Sequence, residues 1–281
     1  MQIFNFFAHK DYYPYGTENR NILFMFSHFG FLFFNLLNVS YLVLFEGVIF
    51  GRLQKNYLSK LSFFAAFTQL ISCLSSMHRY NNNDEFGFWG HFSTVVGLLA
   101  YTPFNIAFIY LCFNRNYPKF VGIGSAAWVV VEIYCFVHGY IKWEEEPFMY
   151  FRLFIGISTV WHVVAMIIGY RAHKRGEILI DESIISHEDM NKVFGLCIFL
   201  EVVALMIAPT GLPILAYPAT GMTFTAMTIL MVFVGRMNFM QASSPDEGAG
   251  SEKNDLLKSQ STASPVPRPP IDQPPHIATT V

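Results

Sequence analysis

Charge is scarce in this chain. Of its 281 residues only 14% are Asp, Glu, Lys or Arg, little more than half the share of a soluble globular domain. A chain so poor in charge cannot cover a water-facing surface. At 53% hydrophobic it is also far too apolar to be disordered throughout. A basic excess is lacking as well: the net charge is −2, which leaves no electrostatic footprint for nucleic acid. Cysteine is sparse, and Cys73, Cys112, Cys135 and Cys197 all fall inside apolar runs. They read as small buried hydrophobes, not as a disulfide framework. Neither GxSxG nor HExxH occurs, so nucleophilic and zinc-hydrolase chemistry have no motif to stand on, and no cofactor is implied. Met1–Arg20 has no h-region, since Ile3–Phe7 is too short. The first membrane span is therefore expected to act as the signal.

What the chain does have is apolar runs of about 20 residues, the length that crosses a hydrocarbon core. Seven occur, at 22–47, 59–77, 89–113, 120–141, 149–170, 192–208 and 213–235. Lipid offers the backbone no hydrogen-bond partners, so each is expected to be a helix. The expected fold is all-α: a polytopic transmembrane helix bundle over 22–235, preceded by a short outer segment 1–21 and followed by a tail 236–281. The sixth run is short and meets the seventh through Pro209-Thr210-Gly211-Leu212-Pro213. Seven full spans are expected, with six spans or a re-entrant last pair as the alternative. Pro103 and Pro218 should kink their helices. Gly156, Gly169, Gly195, Ala219 and Gly221 offer the small side chains that helix contacts in lipid favour.

Lys and Arg divide unequally between the loops. Ten lie in 51–60, 114–119, 171–192 and at Arg236; five lie on the opposite side, at Lys10, Arg20, Arg79, Lys142 and Arg152. The richer side should be cytoplasmic, which puts the N-terminus outside and the tail inside. All of these basic groups are expected outside the apolar cores. Trp89, Trp143 and Tyr150 read as interfacial anchors. Ser186-His187-Glu188-Asp189 has the spacing of a helix N-terminus. The sequon Asn38-Val39-Ser40 lies mid-span and should be inaccessible to glycosylation.

Three carboxylates remain inside the runs. Glu46 is near the inner end of a long helix and is expected to reach the interface. Glu132 and Glu201 are deeper, with no Lys or Arg at their depth. Each is expected to be neutral or bonded to a histidine, hydroxyl or amide, because an ionised group in hydrocarbon costs about 2.5–3.5 kcal/mol on insertion scales. With His162 they are the candidates for a ligand or ion path; a structural interhelical hydrogen bond is the plainer reading. His28, His78, His91 and His138 share the outer third and could bind a metal or sense pH, though none shows ligand spacing. Ser72, Ser75, Ser76, His78 and Asp84 superficially resemble the catalytic corner of membrane-embedded ceramidases. The late paired-histidine motif of those enzymes is absent, and a non-enzymatic protein is expected.

Past Gln241 the chain turns to Ser, Pro and acidic residues and is expected to be disordered. It ends Ala278-Thr279-Thr280-Val281, where Thr279 and Val281 match a PDZ-type ligand. Pro265–Pro270 favours polyproline II and an SH3-type groove. Seven helices with an outer N-terminus resemble the topology of G-protein-coupled receptors, and Asn114-Arg115-Asn116-Tyr117 is similar in placement to their aspartate-arginine-tyrosine motif. Span three has no outer cysteine and span seven no NPxxY. Pro14-Tyr15-Gly16-Thr17-Glu18 and His91 resemble, in placement, membrane proteins of the DRAM type. The chain is assigned to neither family. The leading expectation is thus a non-enzymatic, receptor-like multi-pass membrane protein with a docking tail, its partners the lipid bilayer and a cytosolic PDZ or SH3 domain. The alternative is a transporter, channel or lipid-handling protein that uses Glu132, Glu201 and His162. The expected location is a membrane, either the plasma membrane or an endomembrane.

Overall fold

The structure, a computed structural model, describes residues 18–82, 87–115, 117–141, 149–178, 185–207 and 213–243. Within them the regular structure is helical. α1 covers Glu18–Ser40 and continues as a π-helix over Tyr41–Ile49; α2 is Tyr57–Asn82, α3 Phe88–Leu99 and α4 Thr102–Asn114. α5 is Lys119–Ile141, α6 Met149–Lys174, α7 His187–Ile207 and α8 Pro213–Ser243. Six stretches are long and apolar enough to cross a membrane: Ile22–Ile49, Tyr57–Asn82, Phe88–Asn114, Lys119–His138, His187–Ile207 and Tyr217–Arg236. The chain is therefore a helical bundle of multi-pass type. α6 corresponds to the fifth expected run.

The bundle is inside-out relative to a soluble protein. Phe113 and Ile123 are 84% and 70% exposed, a surface that only lipid satisfies. The polar and small residues turn inward instead. α2 shows this best: Ser59, Ser62, Ala66, Gln69, Cys73 and Ser76 are buried at three- and four-residue spacing, while Phe64, Phe67 and Leu74 face out. One stripe of a helix carries that spacing, and small side chains let the neighbouring backbones approach. The large-residue core lies elsewhere, around Tyr101, Phe104, Phe108, Phe194 and Phe224.

Local sequence sets the helix ends. The Asn56 carboxamide oxygen accepts the Leu58 N–H at 2.9 Å and opens α2. Ser186 Oγ accepts the Asp189 N–H at 3.1 Å and opens α7, as its spacing predicts. α7 begins at His187, five residues ahead of the expected 192, so the sixth span is not short. α8 runs to Ser243, past the expected end at 235.

The third span is not one helix. It breaks between α3 and α4, at Ala100 and Tyr101. Pro103 has no N–H, so the Leu99 carbonyl loses its usual donor. The turn tightens in response: Tyr101 N–H bonds to the Leu98 carbonyl at 3.0 Å and Phe104 N–H to the Tyr101 carbonyl at 3.1 Å. Both are i to i−3 bonds, so the break is a short 3₁₀ turn. Pro218 instead stays within α8, and a Cβ added to Gly30 would stand 2.8 Å from its ring.

Two expectations about charge are corrected. Arg79 is not outside the bundle but 3% exposed within it. Its guanidinium reaches Ser93 Oγ and Tyr217 Oη, each at 3.4 Å, and lies over the Tyr80 ring. Glu46 does not reach the interface either. It is fully buried and bonded to Arg236. Among the small residues, Gly169 and Gly221 do pack closely, against Tyr117 and Phe34, whereas nothing lies near Gly195. Asn38 is buried and donates to Thr225 Oγ1 at 3.1 Å, which removes it from any glycosylating enzyme. All four cysteines are free. Trp143, Asp84, Thr279, Val281 and the proline-rich segment lie outside the described residues, as does the side chain of Tyr150.

Candidate functional site

The break of the third span places Tyr101 and Thr102 side by side well inside the bundle. Tyr101 stands thirteen residues from the start of α3, Glu132 thirteen into α5, His162 thirteen into α6 and Glu201 fourteen into α7. At 1.5 Å per residue each is about 20 Å from one end of its span.

The two break residues meet different partners. Thr102 donates its hydroxyl to Glu132 Oε1. Glu132 is 5% exposed, and its second oxygen has no partner among the described residues. Glu201 is buried on α7, one turn beyond the buried Cys197. The Tyr101 ring lies nearly parallel to the His162 ring, centroids 6.3 Å apart. Phe104 and Phe108 enclose the imidazole at 6.1 and 6.2 Å, and Phe224 of α8 closes edge-on against Tyr101 at 4.8 Å.

Polar demand here exceeds polar supply. Neither Glu201 oxygen and neither His162 nitrogen has a hydrogen-bond partner among the described residues, and both side chains are at most 1% exposed. Asn105, one turn beyond Tyr101, is likewise buried with both amide atoms unmatched. Unmatched buried polar groups cost about 1–3 kcal/mol each, so such a concentration needs a reason. An ionised carboxylate alone in this enclosure would cost far more. That cost predicts a neutral Glu201.

Of the sequence candidates, Glu132 meets Thr102 and His162 lies against Tyr101, while Glu201 is buried on α7 beyond Cys197. Tyr101, Thr102 and Asn105 escaped the sequence reading, although a polar cluster flanking an intramembrane proline was a legible signal. The outer histidines are not gathered. His28 Nδ1 donates to the Phe24 carbonyl at 2.6 Å, and its ring lies 3.7 Å from that of Tyr217. His78 is exposed, bonded to Asn82 and set against Trp89. His138 stacks on Tyr134. Among the described residues no three His, Cys, Asp or Glu side chains could together hold a metal ion. The serines of the hydrolase-like corner spend their hydroxyls on backbone: Ser72 on the Ser93 carbonyl at 2.8 Å and Ser75 on that of Ile71 at 2.7 Å.

Polar clusters stand nearer the two ends. Arg79, Tyr80, Tyr217, Ser93 and His28 join α1, α2, α3 and α8 towards the expected outer end, with Tyr80 and Tyr217 hydroxyls 3.0 Å apart. At the other end Arg236 bonds Glu46 and Tyr41. The π-helical stretch around Glu46 leaves its carbonyl accepting two N–H groups, from Arg52 and Leu53. No protein-family model matches this chain, nor does any curated protein or solved structure.

Proposed function

We propose that this multi-pass membrane protein is a transport protein whose polar pathway is centred on the break of the third span. The observation that carries the reading is the pairing of two adjacent residues with two deep ionisable groups: Thr102 with Glu132, and Tyr101 with His162. Discontinuous helices with half-helix ends beside ionisable groups are a recurrent way to build a substrate site in lipid. An ionisable side chain at such depth is otherwise expensive to keep. The Arg79 and Arg236 clusters then close the two ends in the state seen. The positive-inside count orients the protein with its N-terminus outside and α8 leading to the cytosol. The receptor-like expectation leans on short loops, an odd number of spans, an outer N-terminus and the terminal motif of the tail, and that motif lies outside the described residues.

The test is water access. His162→Cys, in a chain whose native cysteines are replaced, is reconstituted into liposomes and treated with a small charged thiol reagent. Labelling of the folded protein supports an aqueous pathway to the centre. Labelling only after denaturation overturns the reading and leaves the carboxyl groups as buried packing elements.

A further inference from the structure

We infer that the corner where the first and last spans end and α2 begins binds the phosphate of an anionic phospholipid, through Arg52, Lys55 and Arg236; the inference does not depend on the transport reading. The sequence already tilts this corner towards positive charge. Across 41–60 and 217–243 stand four basic residues, Arg52, Lys55, Lys60 and Arg236, and one acid, Glu46.

The backbone draws these charges together. Gly51 takes φ +60°, a conformation that glycine adopts without steric cost, and turns the chain straight after Phe50. The Arg52 and Leu53 N–H groups dock on the Glu46 carbonyl at 2.7 and 2.8 Å. The Arg52 carbonyl in turn accepts the Lys55 and Asn56 N–H groups at 3.0 and 2.8 Å, which holds the loop as one compact turn. Two guanidiniums meet one exposed ring as a result: Arg52 Cζ lies 4.4 Å and Arg236 Cζ 5.6 Å from the Phe50 centroid.

The gathered charge is only partly compensated. Glu46 Oε1 accepts from Nε and Nη2 of Arg236, and Nη2 also meets the Tyr41 hydroxyl. Nη1 of Arg236 makes no hydrogen bond among the described residues, and the Arg52 guanidinium has neither a hydrogen bond nor an ion pair there. Asn56, 5% exposed and packed against Gly235, likewise keeps its Nδ2 donor unmatched among the described residues. Planar guanidinium forks match phosphate oxygens two at a time.

The level of the corner selects a lipid over a soluble phosphate. The spans end at Ile49 and Arg236 and resume at Tyr57, so the charges stand where headgroups lie. Val48 and Ile49, just before the turn, are 74% and 61% exposed, an apolar surface for the acyl chains that hang from such a phosphate. Basic pockets between helices on the cytoplasmic side are a known seat for anionic headgroups, and the positive-inside count puts this end in the cytosol.

The purified full chain in a non-ionic detergent is titrated with phosphatidic acid or with phosphatidylcholine of the same acyl chains, and bound lipids are counted by native mass spectrometry. The first phosphatidic acid should bind more tightly than the first phosphatidylcholine. Arg52→Gln and Lys55→Gln should each weaken it by about fivefold, the effect of one basic charge near a headgroup. Size-exclusion checks that each variant is folded. Arg52→Lys, which keeps the charge and loses the fork, should fall between. Lys174→Gln, on α6 at the same end, should leave the affinity unaltered. Equal binding of the two lipids, an Arg52→Gln affinity equal to wild type, or an equal loss in Lys174→Gln overturns the inference. Displacement of the first phosphatidic acid by inorganic phosphate also overturns it and gives the corner to a soluble anion instead.

Discussion

Arg236 of α8 and Glu46 of α1 form a salt bridge, Nη2 to Oε1 at 2.9 Å, that fastens the first helix to the last across 190 residues of sequence. Nε of the same guanidinium bonds the same oxygen at 3.2 Å, and Nη2 also meets the Tyr41 hydroxyl. Arg236 passes over the Phe50 and Phe233 rings. Glu46 is wholly buried while Arg236 keeps 22% of its side-chain exposure. A buried pair is costly to build, yet costlier to halve.

Arg236→Ala should therefore destabilise the protein by about 2–3 kcal/mol, below the 3–5 kcal/mol of a fully enclosed pair because the guanidinium retains some solvent. Adding Glu46→Gln should recover much of the loss. Denaturant unfolding in detergent, run as a double-mutant cycle, measures the coupling; additive effects would mean that the pair is not formed.

Two glycines should respond oppositely to alanine. A Cβ on Gly169 would lie 1.8 Å from the Tyr117 hydroxyl oxygen, and that hydroxyl is held by its bond to the Ala165 carbonyl at 3.1 Å. Overpacking of this kind costs about 1–3 kcal/mol. Gly195 has nothing within 4 Å, so Gly195→Ala should be neutral or stabilise by up to about 1 kcal/mol through helix propensity. Equal melting temperatures for the two variants would contradict this packing.

Asn38→Ala removes one interhelical hydrogen bond, to Thr225. Bonds of this type in membrane bundles average about 0.6 kcal/mol. A loss of that order is expected, with no change in electrophoretic mobility after glycosidase treatment. A mobility shift of the wild-type protein would place Asn38 in contact with the glycosylation machinery instead.

His173 sits past the expected end of the fifth span. It is buried, its ring stacks on His187 at 5.0 Å, and burial lowers its pKa below the usual histidine value. The unfolded chain then binds a proton that the folded chain resists. Its contribution is present above the unfolded pKa, about 6.5, and is lost as pH falls below it. Wild type should lose more stability between pH 7.5 and 5.5 than His173→Gln. Parallel pH profiles would show that His173 titrates freely in the fold.

The spans were legible because hydrocarbon imposes a length and a composition that local sequence displays. The Ser186 cap was legible for a similar reason, being a contact three residues long. The end clusters were not: Glu46 and Arg236 pair over a distance that periodicity does not encode, and Arg79 counted as a loop charge because Asn81-Asn82-Asn83-Asp84 follows it. The inward stripe of α2 could have been read from Ser59, Ser62, Ala66, Gln69, Cys73 and Ser76, had the rule been inverted so that small and polar residues mark the interior. Pro103 announced a disturbance in the third span. It did not reveal that Thr102 would bond Glu132 while Tyr101 lay against His162, since that depends on where α5 and α6 pack.

The most direct measurement is the infrared spectrum of the purified protein in H2O and D2O, wild type against Glu201→Gln. The account predicts a protonated-carboxyl stretching band at neutral pH that shifts in D2O and is diminished in the variant. A wild-type spectrum with carboxylate bands alone would mean that Glu201 is ionised, and would contradict a neutral, uncompensated acid at the heart of the bundle.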